Sequence, residues 1–304
     1  MREFVVAFFI MAFAGSLPNL FVGINAALQG IPELAFGEIV GNNMIDLTLA
    51  VALAVLIGGN VLQVRSKMVQ TSTIFTVAIA ILPLILIFDG GLERIDGVIL
   101  LLAFAIYVFW LFSKEERFRK VYKVNKYKEA EKSSKSFIDF LKPKKEERPL
   151  KRFKVFIKNL IRVVFFLGLL LAASWGVVES AQSFANILGL TLPIVGILIV
   201  GLANALPETY FAIISARKHQ TWMILGDLTG AIIVCATLVL GIIILIRPIE
   251  NIDISPFAVA RIFLVIAALF FFIAVRTDHK ITKKEALFLL FIYILFLIAE
   301  IIFR

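Results

Sequence analysis

The chain has a single cysteine, Cys235, in 304 residues, so no internal disulfide can form. It has two histidines, His219 and His279, and both fall between apolar runs. No Cys/His metal cluster, Cys–His catalytic pair or other nucleophile–base spacing appears, which argues against an enzyme. Charge is thin as well, with only 17% of residues Asp, Glu, Lys or Arg. The apolar runs lack the period-two alternation of barrel strands, which excludes a membrane β-barrel. No Asp-x-Asp-x-Asp-Gly calcium loop is present.

What the chain has instead is apolar sequence, 61% of its residues. Runs of about 20 apolar residues read as membrane-spanning helices. Nine are expected, at 4–29, 34–60, 71–88, 96–113, 156–178, 190–216, 221–247, 254–275 and 282–303. The fold class that follows is an all-α integral membrane protein. The first run is too long for a cleavable signal peptide and has no small-residue cleavage site. The 29 phenylalanines suit lipid-facing and packing positions.

The surplus of basic residues is local. Between Lys114 and Lys158 there are 17 Lys and Arg against 7 Asp and Glu, more than the net +9 of the whole chain. A basic segment flanked by spans is expected in the cytoplasm, close to anionic headgroups, rather than on nucleic acid. The chain then divides into 1–113, a basic cytoplasmic loop at 114–155, and 156–304, as a multi-pass protein of the cell membrane. Counting outward from that loop puts Arg65–Lys67, Arg217–Lys218 and Arg276–Lys284 inside, and the acid-rich Asp89–Asp96 and Arg247–Asp253 outside. Arg162, Glu179, Arg261 and Glu300 lie near span ends, where snorkelling to the interface accounts for them.

Two segments match at an offset of 189 residues. Leu17-Pro18-Asn19 aligns with Leu206-Pro207-Glu208, Gly37-Glu38 with Gly226-Asp227, Gly41 with Gly230, and Thr48-Leu49 with Thr237-Leu238. The first copy opens in span one and the second in span six. An odd number of crossings separates them, so the copies enter the membrane in opposite directions. Inverted repeats with proline-interrupted spans are characteristic of secondary transporters, whose sites lie near the midplane.

The repeats also carry the buried polar residues. Glu208 follows Pro207 deep inside a span, and a carboxylate in hydrocarbon costs at least about 2.5 kcal/mol unless compensated. Pro18 and Pro207 are expected to break their helices and free a carbonyl one turn back. Carboxylate and carbonyl oxygens together suit a hard cation such as Na⁺ or Ca²⁺. Asp46 is the second buried acid, preceded by Asn42 and Asn43. Asn19 stands where Glu208 does in the other copy, and Ser16 and Asn204 lie within a turn of these two. Glu208 and Asp46 are the expected metal ligands, and Asn19, Ser16, Asn42, Asn43 and Asn204 the neutral ones. The alternatives are a protonated Glu208 bonded to a neighbouring helix and an Asp46 that only joins helices. Glu38 and Asp227 read either as secondary acids of the site or as helix-start carboxylates.

Ser16-Leu17-Pro18-Asn19 with Gly37-x-x-x-Gly41-Asn42, and Leu206-Pro207-Glu208 with Gly226-x-x-x-Gly230, resemble the two α-repeats of the cation/calcium exchanger superfamily. Those repeats read approximately Gly-Thr-Ser-Leu-Pro-Glu, then Gly-Asn-x-x-Gly-Ser-Asn and an acid or amide a turn later. The resemblance implies ten helices, a central site of oxygen ligands and alternating access, with Ca²⁺ moved against Na⁺ or H⁺. The matching site positions are Asn19, Asp46, Glu208 and Cys235. The chain departs from the pattern at Asn19 and Cys235, which are neutral, and at Glu38 and Asp227, which are acidic where the family has Asn. It also opens at what would be the family's second helix.

The function expected is a secondary cation antiporter, Ca²⁺ against Na⁺ or H⁺. The alternatives are a monovalent-cation antiporter and an exchanger-like sensor or scaffold without transport. The partners implied are the bilayer and inorganic cations, with no nucleic acid and no cofactor beyond the transported ions. The sequence leaves the oligomeric state open.

Overall fold

A computed structural model describes residues 11–59, 61–64, 67–121, 149–250, 255–277 and 279–302. Within them the chain forms nine principal helices: α1 (Phe13–Leu28), α2 (Pro32–Leu56), α3 (Lys67–Leu86), α4 (Arg94–Val121), α5 (Pro149–Leu188), α6 (Leu192–Arg217), α7 (Thr221–Ile246), α8 (Ser255–Thr277) and α9 (Lys283–Ile302). All but α1 are long and apolar enough to cross a membrane within the described residues. The expected first span also includes residues 4–10, which lie outside the described residues.

Helix boundaries follow local chemistry. Proline opens α2 and sits in the first turn of α6, where its missing N–H goes unneeded. The expected fifth span stopped at residue 178, but α5 runs to Leu188. Polar residues such as Ser174 and Gln182 do not end a helix; Gly189, at φ 63°, does. The loop expected at 114–155 is helical at both ends, because α4 continues to Val121 and α5 starts at Pro149. Residues 122–148, the rest of that loop, lie outside the described residues.

The duplication is visible in the backbone. Helix α1 closes on Gly30 (φ 80°), with the Ile31 N–H donated to the Ala26 carbonyl at 3.0 Å. Helix α6 closes in the same way on His219 (φ 57°), with the Gln220 N–H donated to the Ser215 carbonyl at 2.9 Å. Each of these residues is 189 positions from its counterpart. Gly90 (φ 97°) and His279 (φ 52°) form a second such pair. Two backbone links between loops obey the same symmetry. Leu62 and Gln63 pair antiparallel with Ile281 and Lys280, joining the α2–α3 and α8–α9 connections. Leu92 and Ile249 exchange N–H···O bonds of 2.8 and 3.0 Å, joining α3–α4 to α7–α8. The two links are thus symmetry equivalents of each other, one at each end of the bundle.

Helices α2 and α7, equivalents in the two copies, are the most buried spans, whereas α4 and α5 are mostly peripheral. Helix α2 meets α6 backbone to backbone. A Cβ at Gly41 would lie 2.1 Å from the Ile197 carbonyl oxygen, one at Gly37 2.4 Å from that of Pro193, and one at Gly196 2.4 Å from that of Leu34. Small residues allow membrane helices this close an approach, where no hydrophobic force drives helices together. The crossing sets the polar middle of α2 directly against α6.

Candidate ion-binding site

Each of the three central helices relaxes into a π-helical turn: Asp46–Ala50 in α2, Gly196–Val200 in α6 and Val234–Val239 in α7. The segments in α2 and α7 are repeat equivalents. Such turns leave carbonyls without their usual donor and favour functional positions. Thr48 and Thr237, also equivalents, return their hydroxyls to the Met44 and Ile233 carbonyls. Asp46 opens the π turn of α2, and Cys235 holds the equivalent place in α7.

Around these turns lies a buried polar cluster rich in acceptors. Asn42 donates through Nδ2 to Asp46 Oδ2 at 3.1 Å, and Asn204 donates through Nδ2 to Glu38 Oε1 at 2.8 Å across the α2–α6 crossing. That leaves Glu38 Oε2, Asn42 Oδ1, Asn43 Oδ1, Asp46 Oδ1 and Glu208 Oε2 buried without a hydrogen-bond partner. All five are oxygens that can accept, and buried polar atoms ordinarily find partners. Asp46 lies within electrostatic reach of Glu208 and Asp227, and Glu208 within reach of Asp227 and Glu38. Among the described residues no three Asp, Glu, His or Cys side chains converge as a ready-made metal centre. The oxygen set is therefore carboxylates supplemented by amides, the donor chemistry of hard cations.

The opposite side of the cluster is neutral. Asn19 donates through Nδ2 to Cys235 Sγ at 3.2 Å. Ser16 donates its hydroxyl to the Ala12 carbonyl at 2.7 Å and also neighbours Cys235. The repeat symmetry carries Asn19 onto Glu208 and Cys235 onto Asp46, so a hydrogen-bonded neutral pair on one side of the two-fold corresponds to a carboxylate pair on the other, each pair drawn from both copies.

The profile of the sodium/calcium exchanger protein family matches residues 1–113 and 158–302. The chain belongs to the sodium/calcium exchanger family. Its relatives include the inner membrane protein YrbG of Escherichia coli, 25% identical over 84% of this chain and 73% of that protein. The sodium/calcium exchanger MaX1 of Methanosarcina acetivorans is 23% identical over 97% of this chain and 88% of its own. The fold is that of the solved sodium–calcium exchanger NCX_Mj, with a TM-score of 0.64 at 21% identity, covering 98% of this chain and 86% of that one. The protein is thus membrane-embedded, with the inverted-repeat fold of the sodium/calcium exchanger family.

Within that family fold, the ion ligands expected on α2 and α6 come together: Glu208, Asp46, Asn42, Asn43 and Asn204 are all in or beside the acceptor cluster. Glu38 and Asp227 are buried and face the polar interior, about two turns before Asp46 and Cys235. Asn19 and Ser16 lie on the neutral side instead, engaged with Cys235 and Ala12.

Three expectations are corrected. Pro207 does not break its helix, since Gly201–Arg217 is continuous. The proline leaves the Ala203 carbonyl without its helical donor, since proline has no N–H. Pro18 sits in the first turn of Leu17–Leu28, where Ser16 alone separates that helix from Phe13–Gly15. Glu300 does not snorkel but is buried, with Oε2 unpartnered. Arg261 lays its guanidinium over Phe88, 5.0 Å from the ring centroid. Arg162 and Glu179 are exposed, as snorkelling requires.

The sequence reading missed the polar links between α1 and α5. Asn25 donates to Ser174 Oγ at 2.6 Å, and Gln182 donates through Nε2 to Gln29 Oε1 at 2.8 Å. Amides at matching depth in two apolar spans were the available signal.

Proposed function

We infer that this protein is a secondary cation antiporter that exchanges Ca²⁺ for Na⁺ or H⁺ by alternating access, with Asp46 and Glu208 as the charged ligands. The observation that carries this reading is the set of five buried, unpartnered oxygens on α2 and α6. An interior with more acceptors than donors favours a cation or protons that complete it. Asn42, Asn43 and Asn204 supply or orient neutral oxygens, and Glu38 and Asp227 add charge on either side of the central pair. The basic segment at 114–155 faces the cytoplasm by the positive-inside bias, in the cell membrane. The names of MaX1 and NCX_Mj, both sodium/calcium exchangers, support the choice of ions.

The test is ⁴⁵Ca²⁺ uptake into proteoliposomes under an imposed Na⁺ or H⁺ gradient. Gradient-driven uptake that disappears in Glu208→Gln is the expected result, and it names the coupling ion. Uptake that survives intact in a Glu208→Gln, Asp46→Asn double variant overturns the assignment.

A further inference from the structure

The repeat match also carries Gly15 onto Asn204, and Glu38 onto Asp227. On one side of the two-fold, Asn204 donates to Glu38 Oε1 at 2.8 Å, joining α6 to α2. The corresponding bond between α1 and α7 has no donor, because Gly15 has no side chain. The segment Phe13–Gly15 packs against Thr221–Ile233, so the space a side chain at position 15 would fill lies between α1 and the helix of Asp227. That space also reaches Glu208. A Cβ added at Gly15 would meet Glu208 Oε1 at 3.5 Å, with no other neighbour within 4 Å. Gly15 itself is exposed. The four buried acids follow the same asymmetry: Glu208 and Asp227 keep 6% and 4% exposure, whereas Glu38 and Asp46 keep none.

Asp227 and Glu38 stand toward opposite membrane faces. Helix α7 begins on the face that carries the basic segment, two crossings after it, and α2 begins on the other, three crossings before it. Each acid lies about 9 Å along its helix from that start. Glu208 is within electrostatic reach of both, and Asp46 is within reach of Asp227.

We propose, resting on the antiporter reading, that Gly15 is the mouth of the ion path on the face of the basic segment, that Asp227 hands the cation between this mouth and Glu208, and that the Asn204–Glu38 bond closes the equivalent path on the other face. A hard cation leaving water needs oxygen donors along its way, because unaccompanied charge in the membrane interior is costly. Asp227 stands beside the opening, and residue 15 brings no amide to occupy it. Glu208 Oε2, buried and unpartnered, receives the ion. Glu38 Oε1 instead holds an N–H where a cation would sit, and its other oxygen is enclosed. Opening toward the second face then requires the Asn204–Glu38 bond to break.

The test reads the two faces separately, on the full chain in membrane vesicles of both orientations. Gly15→Cys, Gly30→Cys and His219→Cys, each in a Cys235→Ser background, are treated with a cationic, membrane-impermeant methanethiosulfonate reagent. Position 15 should react from the face that exposes position 219 and not from the face that exposes position 30. Reaction from the other face, or from neither, overturns the mouth. Asp227→Asn should raise the half-saturating Ca²⁺ for ⁴⁵Ca²⁺ uptake at least about tenfold when Ca²⁺ is supplied on the position-219 face, and less than about twofold on the other. An equal shift on both faces, or none, overturns the role of Asp227. Gly15→Asn, which supplies the amide that Asn204 supplies to Glu38, should cut uptake at least about tenfold without lowering the unfolding temperature. Uptake within about twofold of the unsubstituted protein overturns the proposal. Absence of uptake by the unsubstituted protein under every gradient overturns antiport instead, and the labelling, which needs no transport, then decides the mouth by itself.

Discussion

The histidines show how a single residue can be misjudged by type. His219 and His279 are the two non-glycine residues at positive φ among the described residues, and their repeat equivalents are Gly30 and Gly90. They serve as turn residues in a conformation glycine adopts without steric cost. His219→Gly and His279→Gly should each stabilise the protein by up to about 1 kcal/mol, the relief of the left-handed backbone less the added freedom of the unfolded chain. Thermal unfolding in detergent measures this, and a loss of stability would assign the imidazoles a role beyond the turn. Asn204 is the opposite case, a residue whose side chain matters. It donates to Glu38 at 2.8 Å, so Asn204→Ala leaves a buried carboxylate short of that donor. The expected cost is about 1–3 kcal/mol, partly recovered when Ca²⁺ is added. Unfolding temperatures with and without Ca²⁺ decide it, and an unchanged midpoint would show that the bond contributes nothing.

At the level of elements, the crossing of α2 and α6 sets the geometry of the site. At Gly41 the obstacle to a side chain is the Ile197 carbonyl, 2.1 Å from an added Cβ, and backbone cannot swing aside. Gly41→Leu should force the helices apart, cost about 1–3 kcal/mol and abolish transport, since Asn204 could no longer reach Glu38. Gly168→Ala, where nothing lies within 4 Å, is the control and should leave both stability and transport unchanged. Measuring unfolding and ⁴⁵Ca²⁺ uptake on the two variants separates a tight crossing from a general sensitivity of glycines. The elements were largely legible in the sequence because apolar length and inverted register are properties of composition and spacing. Pro207 in mid-helix was not, because proline breaks helices in water but is tolerated in membrane spans where neighbouring helices pack around it. The Asn19–Cys235 bond was not, because it joins residues 216 apart whose facing depends on the packed symmetry. Glu300 was misplaced because distance from a span end does not reveal which way a helix face is turned.

For the whole molecule, the inverted repeat makes the two halves structural counterparts facing opposite sides of the membrane. Two backbone observations support this beyond the sequence match: the Gly30 and His219 turns share one geometry, and the Leu62–Ile281 and Leu92–Ile249 links are symmetry equivalents of each other. On the proposed antiporter function, alternating access would come from exchanging the conformations of the two copies, exposing one central site to each side in turn. The geometry makes a direct prediction in a chain whose one cysteine is buried. In a Cys235→Ser background, cysteines placed at Gly30 and at His219, both exposed in their turns, should react with a membrane-impermeant maleimide from opposite sides. With the basic segment in the cytoplasm, position 30 should label in intact cells and position 219 only after permeabilisation. Labelling of both from one side would mean an even number of crossings between the copies. That would remove the inverted repeat and with it the symmetry that relates the neutral Asn19–Cys235 pair to the charged Glu208–Asp46 pair.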